Sequence, residues 1–210
     1  MRGLLSRESN EFDRGLSFFD AIYGFAITLL IANVDAPPAT AWESLESLVA
    51  TGILNQLAGF VLSFVVIAAF WRLNLGVIKR ISAMDAATTT ANLVAAGFVV
   101  LIPFTTQGIS ELGSQEYVLP TIVYALNLAI VGIAQLAIFE VARRRGLETE
   151  PMTAREHRAF VLDWLVTPGV FVLSVPIALL WGPDFGKLSW ASLIILGPLA
   201  ARLRLRVSGR

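Results

Sequence analysis

The sequence contains no cysteine and a single histidine, and only 15% of its 210 residues are charged. Without cysteine the chain has neither disulfides nor thiolate chemistry. The charged fraction lies well below the roughly 25% that is usual for a soluble domain. Apolar residues make up 56% of the chain and the mean hydropathy is +0.70. This composition predicts an integral membrane protein.

No pattern typical of an active site is present. His157 stands beside Arg155, Glu156 and Arg158, and we expect it in a solvated loop rather than in a catalytic arrangement. The sequence has no glycine-rich phosphate loop and no acidic or histidine cluster with metal-ligand spacing. We therefore expect no enzymatic activity, no metal site, no cofactor and no nucleic-acid partner. Two further carboxylates near the ends of apolar segments are expected to pair with neighbouring arginines, namely Glu140 and Asp163.

Six apolar segments follow one another along the chain. A helix needs about 20 apolar residues to cross the hydrocarbon core of a bilayer. The predicted helices cover about 17–34, 52–73, 86–105, 117–142, 159–181 and 188–201. The sixth has only about 14 apolar residues, so a re-entrant segment is an alternative there. The sequence predicts an all-α, polytopic membrane protein whose residues 1–210 form one domain.

The distribution of basic residues favours six crossings. If all six segments cross, one side of the membrane receives every basic residue except Lys187. A re-entrant sixth segment would place the C-terminal arginines on the opposite side. Because cytoplasmic loops carry the excess of Lys and Arg, both termini are predicted to be cytoplasmic, in a multi-pass protein of the inner (plasma) membrane. The residues on the basic side are Arg2, Arg7, Arg14, Arg72, Lys79, Arg80, Arg143, Arg144, Arg145, Arg155, Arg158, Arg202, Arg204, Arg206 and Arg210.

The opposite side is acidic. An acidic surface at the mouth of a pathway would raise the local concentration of cations. The alternative interpretation is that these loops are simply solvated and obey the same charge bias. The residues concerned are Asp35, Glu43, Glu46, Glu111, Glu116 and Asp184.

The first segment carries a stripe of small residues with apolar residues beside it. At 100° per residue Ser17, Ala21, Gly24 and Thr28 share one stripe, and Phe25, Leu29 and Ala32 follow each other next to it. Small residues at this spacing permit close helix packing, and periodicity alone favours a packed or lipid-facing helix. The other interpretation is that this face lines a pore, with the apolar residues forming a constriction that excludes water.

Two charged residues at the head of the first segment require partners. Arg14 and Asp20 lie about 9 Å apart along a helix axis and point in different directions, so they cannot pair with each other. We expect a polar network that joins the first helix to Arg72 and Asn74 of the second segment and to the 88–92 run of the third. The alternative for Arg14 is that it extends to the interface.

An ordered set of short motifs resembles the transmembrane-protein-175 family, the lysosomal potassium channels of animals and their bacterial relatives. The family pattern is Arg, three residues, then Phe-Ser-Asp, with a threonine eight residues after the aspartate. The specific matches extend to about residue 106. The matching residues are Arg14, Phe18-Phe19-Asp20, Ala26-Ile27-Thr28-Leu29-Leu30, Phe70-Trp71, Asn92 and Leu101-Ile102-Pro103-Phe104-Thr105.

The resemblance implies a cation channel, with potassium as the favoured ion, made from a single-repeat subunit that assembles as a homotetramer. Four copies of the first helix would line the pore, which lacks the usual Thr-Val-Gly-Tyr-Gly filter. The constriction would be Phe25 with Thr28 beside it, and Leu29 and Ala32 would continue the wall. The residues expected to hold the pore helix are Arg14, Asp20, Trp71, Asn74 and Asn92. The expected partners are other copies of the chain, membrane lipids and monovalent cations.

Three departures from the family pattern are visible. Phe19 replaces a serine, Asn74 replaces a histidine, and Phe25 replaces an isoleucine or leucine at the constriction. Two other functional classes stay open. A secondary transporter is suggested by prolines within the last two segments, Pro168, Pro176 and Pro198. A non-conducting membrane scaffold or accessory subunit would explain the packing residues without transport.

Overall fold

The computed structural model describes residues 4–207, which form a bundle of α-helices with one very small sheet. Arg2 and Arg210 of the basic side lie outside the described residues. Six helices or helix pairs are long and apolar enough to cross a membrane, so the predicted number of spans is confirmed. The helices are α1 (Asn10–Ala32), α2 (Leu45–Ala50), α3 (Ile53–Ile78), α4 (Ala86–Val100), α5 (Ile102–Ser110), α6 (Val118–Arg144), α7 (Ala154–Trp181), α8 (Pro183–Ser189) and α9 (Leu193–Val207).

Most helices extend beyond the predicted segments at their basic ends. α1 begins at Asn10 because the Ser9 side chain accepts a hydrogen bond from the Phe12 backbone N–H, 3.2 Å away. α7 begins at Ala154, where Thr153 and Glu156 form a reciprocal capping box. Apolar composition marks only the part of a helix that meets hydrocarbon. Local capping residues decide where the helix itself begins.

The third and sixth spans are each built from two helices. α4 and α5 meet at Leu101, next to Pro103, which has no backbone N–H to continue the hydrogen-bond ladder. In the sixth span α8 leads through a short 3-10 turn at Trp190–Ser192 into α9. Together these pieces cover Pro183–Arg206, 24 residues, which removes the length argument for a re-entrant segment.

α6 is the central helix of the bundle. It packs against α3, α4, α5, α7 and α8. Gly132 of α6 lies close to Pro168 of α7, and a Cβ added to this glycine would lie 3.2 Å from the proline ring. α1 packs on the opposite flank, against α3, α4 and α5. The first helix is therefore at one edge of the subunit, and α7 to α9 form the other edge.

Hydrogen bonds bring the basic ends of the helices together. β1 (Leu5–Ser6), before α1, pairs antiparallel with β2 (Ala83–Met84), which lies between α3 and α4. The Arg7 guanidinium donates to the carbonyl of Lys79 (3.0 Å), and the Ser82 N–H donates to the carbonyl of Leu147, beyond α6 (2.8 Å). The chain start and the α3–α4 and α6–α7 connections therefore share one end of the bundle, as the alternating topology requires.

The opposite end is joined by a second set of contacts. The Asn33 amide, just after α1, donates to the carbonyl of Pro103 at 2.8 Å. Gln56 of α3 accepts from the backbone N–H of Asp35 at 2.8 Å. Lys187 of α8 donates to the carbonyl of Gln115 at 3.3 Å. The bonds of Asn33 and Asp35 fix this end of α1 relative to α5 and α3.

Asp85 lies at the basic end of the bundle and makes a contact that we expect to be sensitive to acid. Its carboxylate caps α4 by accepting from Thr88 at 2.9 Å and also accepts from the Arg145 guanidinium. Burial raises the pKa of the Asp85 carboxyl, but the bonds from Thr88 and Arg145 outweigh it, so the pKa lies below its usual value. The stabilisation is therefore present above the unfolded-state pKa and is lost as the pH falls through the lower folded-state pKa.

We expect the melting temperature of the wild-type protein to decrease as the pH is lowered through the unfolded-state pKa of an aspartate, about 4, and below it. Asp85→Asn keeps a capping group but removes the charge, so it should lower the melting temperature at pH 7 and flatten the acid limb. Thermal unfolding measured across pH tests this. Asp184→Asn is the matched control, because the Asp184 side chain is 91% exposed in its pair with Lys187. Equal acid limbs in the wild type and Asp85→Asn would contradict the assignment.

Candidate functional site: the outer face of the first helix

One face of α1 is buried against the rest of the subunit. Its members are spaced by three, four or seven residues, which places them on one side of a helix. Phe19, Tyr23 and Leu30 are each 2% exposed and Ala26 is fully buried. Phe12 continues this face at the basic end, where it packs with Ile81 and Met84. The buried face sets the rotation of α1 within the bundle.

The opposite face of α1 is uncovered. Phe25 is 70% exposed and Leu29 is 46% exposed, and Thr28 and Ala32 are exposed as well. All four residues predicted to line a pore therefore lie on one outward face. An apolar face of this kind has to be covered by lipid or by another polypeptide.

Thr28 supplies the polar atom on this face. Its hydroxyl donates to the carbonyl of Phe25, three residues earlier, at 2.8 Å. Because its proton is used within the helix, the hydroxyl oxygen has lone pairs left to accept from water or to contact a cation. The outer face of α1 thus places an aromatic ring and an oxygen acceptor about one turn apart.

A buried polar network lies directly behind this face. The Asn74 side-chain amide of α3 donates to Asn92 of α4 (3.0 Å) and to Gln135 of α6 (3.1 Å), and the Gln135 amide donates to the Tyr23 hydroxyl of α1. These four side chains are at most 2% exposed. Side-chain hydrogen bonds therefore join four helices, α1, α3, α4 and α6.

Asn74 and Asn92 were predicted members of this network, whereas Tyr23 and Gln135 were not. The sequence could have indicated Gln135, because burying a side-chain amide within a long apolar span costs free energy unless the amide has a polar partner. Tyr23 carried none, since a tyrosine in an apolar helix is also common at interfaces and in cores. Only the tertiary structure shows that its hydroxyl faces Gln135.

The charged residues at the head of α1 behave differently from each other. Asp20 accepts a hydrogen bond from the indole N–H of Trp71 on α3 at 2.8 Å. The Arg14 side chain is exposed and forms neither a hydrogen bond nor an ion pair with other residues between 4 and 207. Within one subunit, Asp20 and Trp71 thus form a pair that is separate from the buried network. Arg14 belongs neither to this pair nor to the network. A role for Arg14 in holding α1 needs a partner beyond the described subunit.

Two expectations about the basic end are wrong. His157 lies in the first turns of α7 rather than in a loop, and its ring contacts Glu140 of α6 with only 20% of the side chain exposed. Glu140 therefore pairs with the histidine and not with an arginine. The reason is the early start of α7, which turns His157 towards α6. Asp163 does pair with an arginine, Arg204 of α9, at 2.7 Å.

No group of three or more His, Cys, Asp or Glu side chains that could hold a metal ion is found among residues 4–207. The candidate site in the described residues is the uncovered face of α1, with a buried polar network behind it. A bundle of six apolar spans defines a polytopic α-helical membrane protein, and its first helix leaves one apolar face uncovered.

Comparison with known proteins shows that part of this chain is similar to a family of potassium channels. Residues 14–103 match the family model described as "Endosomal/lysosomal potassium channel TMEM175", and this stretch contains the four residues named above on the outer face of α1. The chain is 27% identical over 184 residues to a potassium channel of Streptomyces collinus, covering 81% of this chain and 87% of that protein. It is 21% identical over 145 residues to a potassium channel of a Chryseobacterium species, covering 69% and 71% of the two chains.

The fold agrees with these matches. The crystal structure of a lysosomal potassium-selective channel TMEM175 homologue from Chamaesiphon minutus superposes with a TM-score of 0.68 at 21% identity, covering 95% of this chain and 99% of that one. The chain is thus similar to the TMEM175 family in sequence over residues 14–103 and in fold over most of its length. The resemblance found in the sequence motifs is thereby confirmed.

Proposed function

We propose that this protein is a cation channel that conducts passively through a pore lined by α1 of each subunit. The observation that carries the proposal is the uncovered face of α1, on which Phe25, Thr28, Leu29 and Ala32 all point away from the subunit. The two curated relatives named as potassium channels support the functional class.

The proposed assembly is a homotetramer with the α1 helices around the central axis. In that arrangement four Phe25 rings form the narrowest layer. An apolar constriction opposes ion passage because it does not retain water. The Thr28 oxygens then form a polar layer next to it. The buried face of α1 and the network behind it would hold these layers in register.

The permeant ion is proposed to be a monovalent cation, with potassium favoured, and no cofactor takes part. The acidic end of the bundle supports this charge preference by attracting cations to the pore mouth. Since basic residues gather at the other end of the bundle, that end is proposed to be cytoplasmic, with both termini there. The membrane is proposed to be the inner (plasma) membrane of the cell.

A flux assay on purified protein in liposomes tests the proposal. With a potassium gradient across the liposome membrane, a voltage-sensitive dye should report a passive, voltage-dependent potassium leak. This leak should not require a coupled ion. Coupled, saturable uptake would instead assign a secondary transporter, for which the broken third and sixth spans are the structural argument. If liposomes that contain assembled tetramers, verified by particle mass, show no ion flux, the protein is a scaffold.

A further inference from the structure

A groove of about 650 Å³ opens on the side of the bundle away from α1. α3 forms one wall, α7 and α9 form the other, and Gly132 of α6 lies at its floor. α3 and α7 both pack against α6, and the groove is the space left between them. Glycines widen it further, since Gly76 on α3 and Gly197 on α9 leave open space where a Cβ would stand. Its volume falls in the range typical of small-molecule sites.

One end of this groove is basic. Arg72, Lys79, Arg80 and Arg204 line it, and Arg204 is held by Asp163 at 2.7 Å. The Arg72 and Lys79 side chains are exposed and make no ion pair with other residues between 4 and 207. Four cations thus face two carboxylates, Asp163 and Glu150, so the basic end attracts an anion.

The other end of the groove is apolar and lies within the spans. Phe70 and Leu73 of α3 face Trp164 and Val166 of α7 across it. A site that is basic at the end of the helices and apolar towards their middle matches an amphiphile with an anionic headgroup and a hydrocarbon chain. A small soluble anion would not fill the apolar half of the groove. Basic pockets between spans are a recurrent mode of headgroup binding.

We propose that this groove binds one anionic phospholipid per subunit. Arg72 and Lys79 contact its phosphate, and an acyl chain lies along Phe70, Leu73 and Trp164. The site is separate from the α1 face, on the opposite side of the subunit. It therefore does not depend on the proposed conduction, and binding can be measured whether or not the protein passes ions.

The test counts lipids retained by purified protein in native mass spectrometry, titrated with phosphatidylglycerol or phosphatidylcholine. Wild-type protein should retain phosphatidylglycerol preferentially. The double variant Arg72→Gln and Lys79→Gln should bind it about 30-fold more weakly, the effect expected from two basic groups near a lipid phosphate. The charge-matched control is Arg144→Gln with Arg206→Gln, because both arginines are exposed and lie outside the groove.

A second variant tests the groove without changing charge. Gly76→Leu places a side chain in the open space on α3, so it should fold normally and still reduce phosphatidylglycerol retention. Equal losses in the groove and control double variants would show only surface attraction and would overturn the proposal. So would unchanged retention in Gly76→Leu. Binding of inorganic phosphate without a preference between the two lipids would assign the basic end to a free anion and would also overturn it.

Discussion

Replacing Phe25 with alanine is expected to raise passive cation flux in liposomes by about tenfold or more, which corresponds to lowering the barrier by about 1.4 kcal/mol. Phe25 is 70% exposed on the outer face of α1. If four copies converge on an axis, the variant removes all four rings at once. The wider gap retains water, and the cost of dehydrating the ion falls.

Little loss of stability should accompany this change, because an exposed ring is not part of the subunit core. Phe185→Ala is the matched control. Phe185 is 58% exposed on α8, which packs against α6 and α7 on the other side of the bundle. Its truncation should leave the flux unchanged. If Phe25→Ala and Phe185→Ala give the same flux as the wild type, Phe25 does not close the pore.

Gln135→Leu should give the largest loss of stability of any single change considered, about 2–4 kcal/mol. Gln135 accepts from Asn74 and donates to Tyr23, and all three side chains are buried. The substitution leaves two buried polar groups without their partner. In a protein of this size the expected fall in melting temperature is about 5–15 °C.

The loss of this bond should also affect α1, since Tyr23 is on the buried face that sets the rotation of the helix. If the chain assembles and conducts as proposed, the fraction of assembled protein and the flux should fall together with the melting temperature. Gln107→Leu makes the same chemical change at an exposed position on α5 and should shift the melting temperature by only 1–2 °C at most, about 0.5 kcal/mol. Equal melting temperatures for the two variants would mean that the network contributes nothing measurable to stability.

The sequence predicted the fold better than it predicted individual side-chain partners. The six spans follow from apolar length and from the distribution of basic residues, both of which are properties of the chain alone. His157 shows the limit of this approach. Its charged neighbours indicated a solvated loop, but the capping box at Thr153 starts α7 early and turns the ring to Glu140.

The network shows the same limit at the candidate site. Asn74 and Asn92 were recognisable as polar residues within apolar segments, whereas their connection through Gln135 to Tyr23 depends on α6 being the central helix. The two departures at Phe19 and Asn74 are also resolved by packing. Phe19 is buried on the inner face of α1, and Asn74 is the donor that joins α4 to α6.

The amino-acid sequence by itself determined that this chain crosses a membrane six times, with its basic residues at one end, because transfer into hydrocarbon depends only on local composition and charge. It also determined which residues could form an aromatic and threonine face on the first helix. Only the tertiary structure decided that this face points outward and that a basic groove opens on the opposite side. Both depend on how α6 positions its neighbours, and distances between helices are not encoded in any one segment.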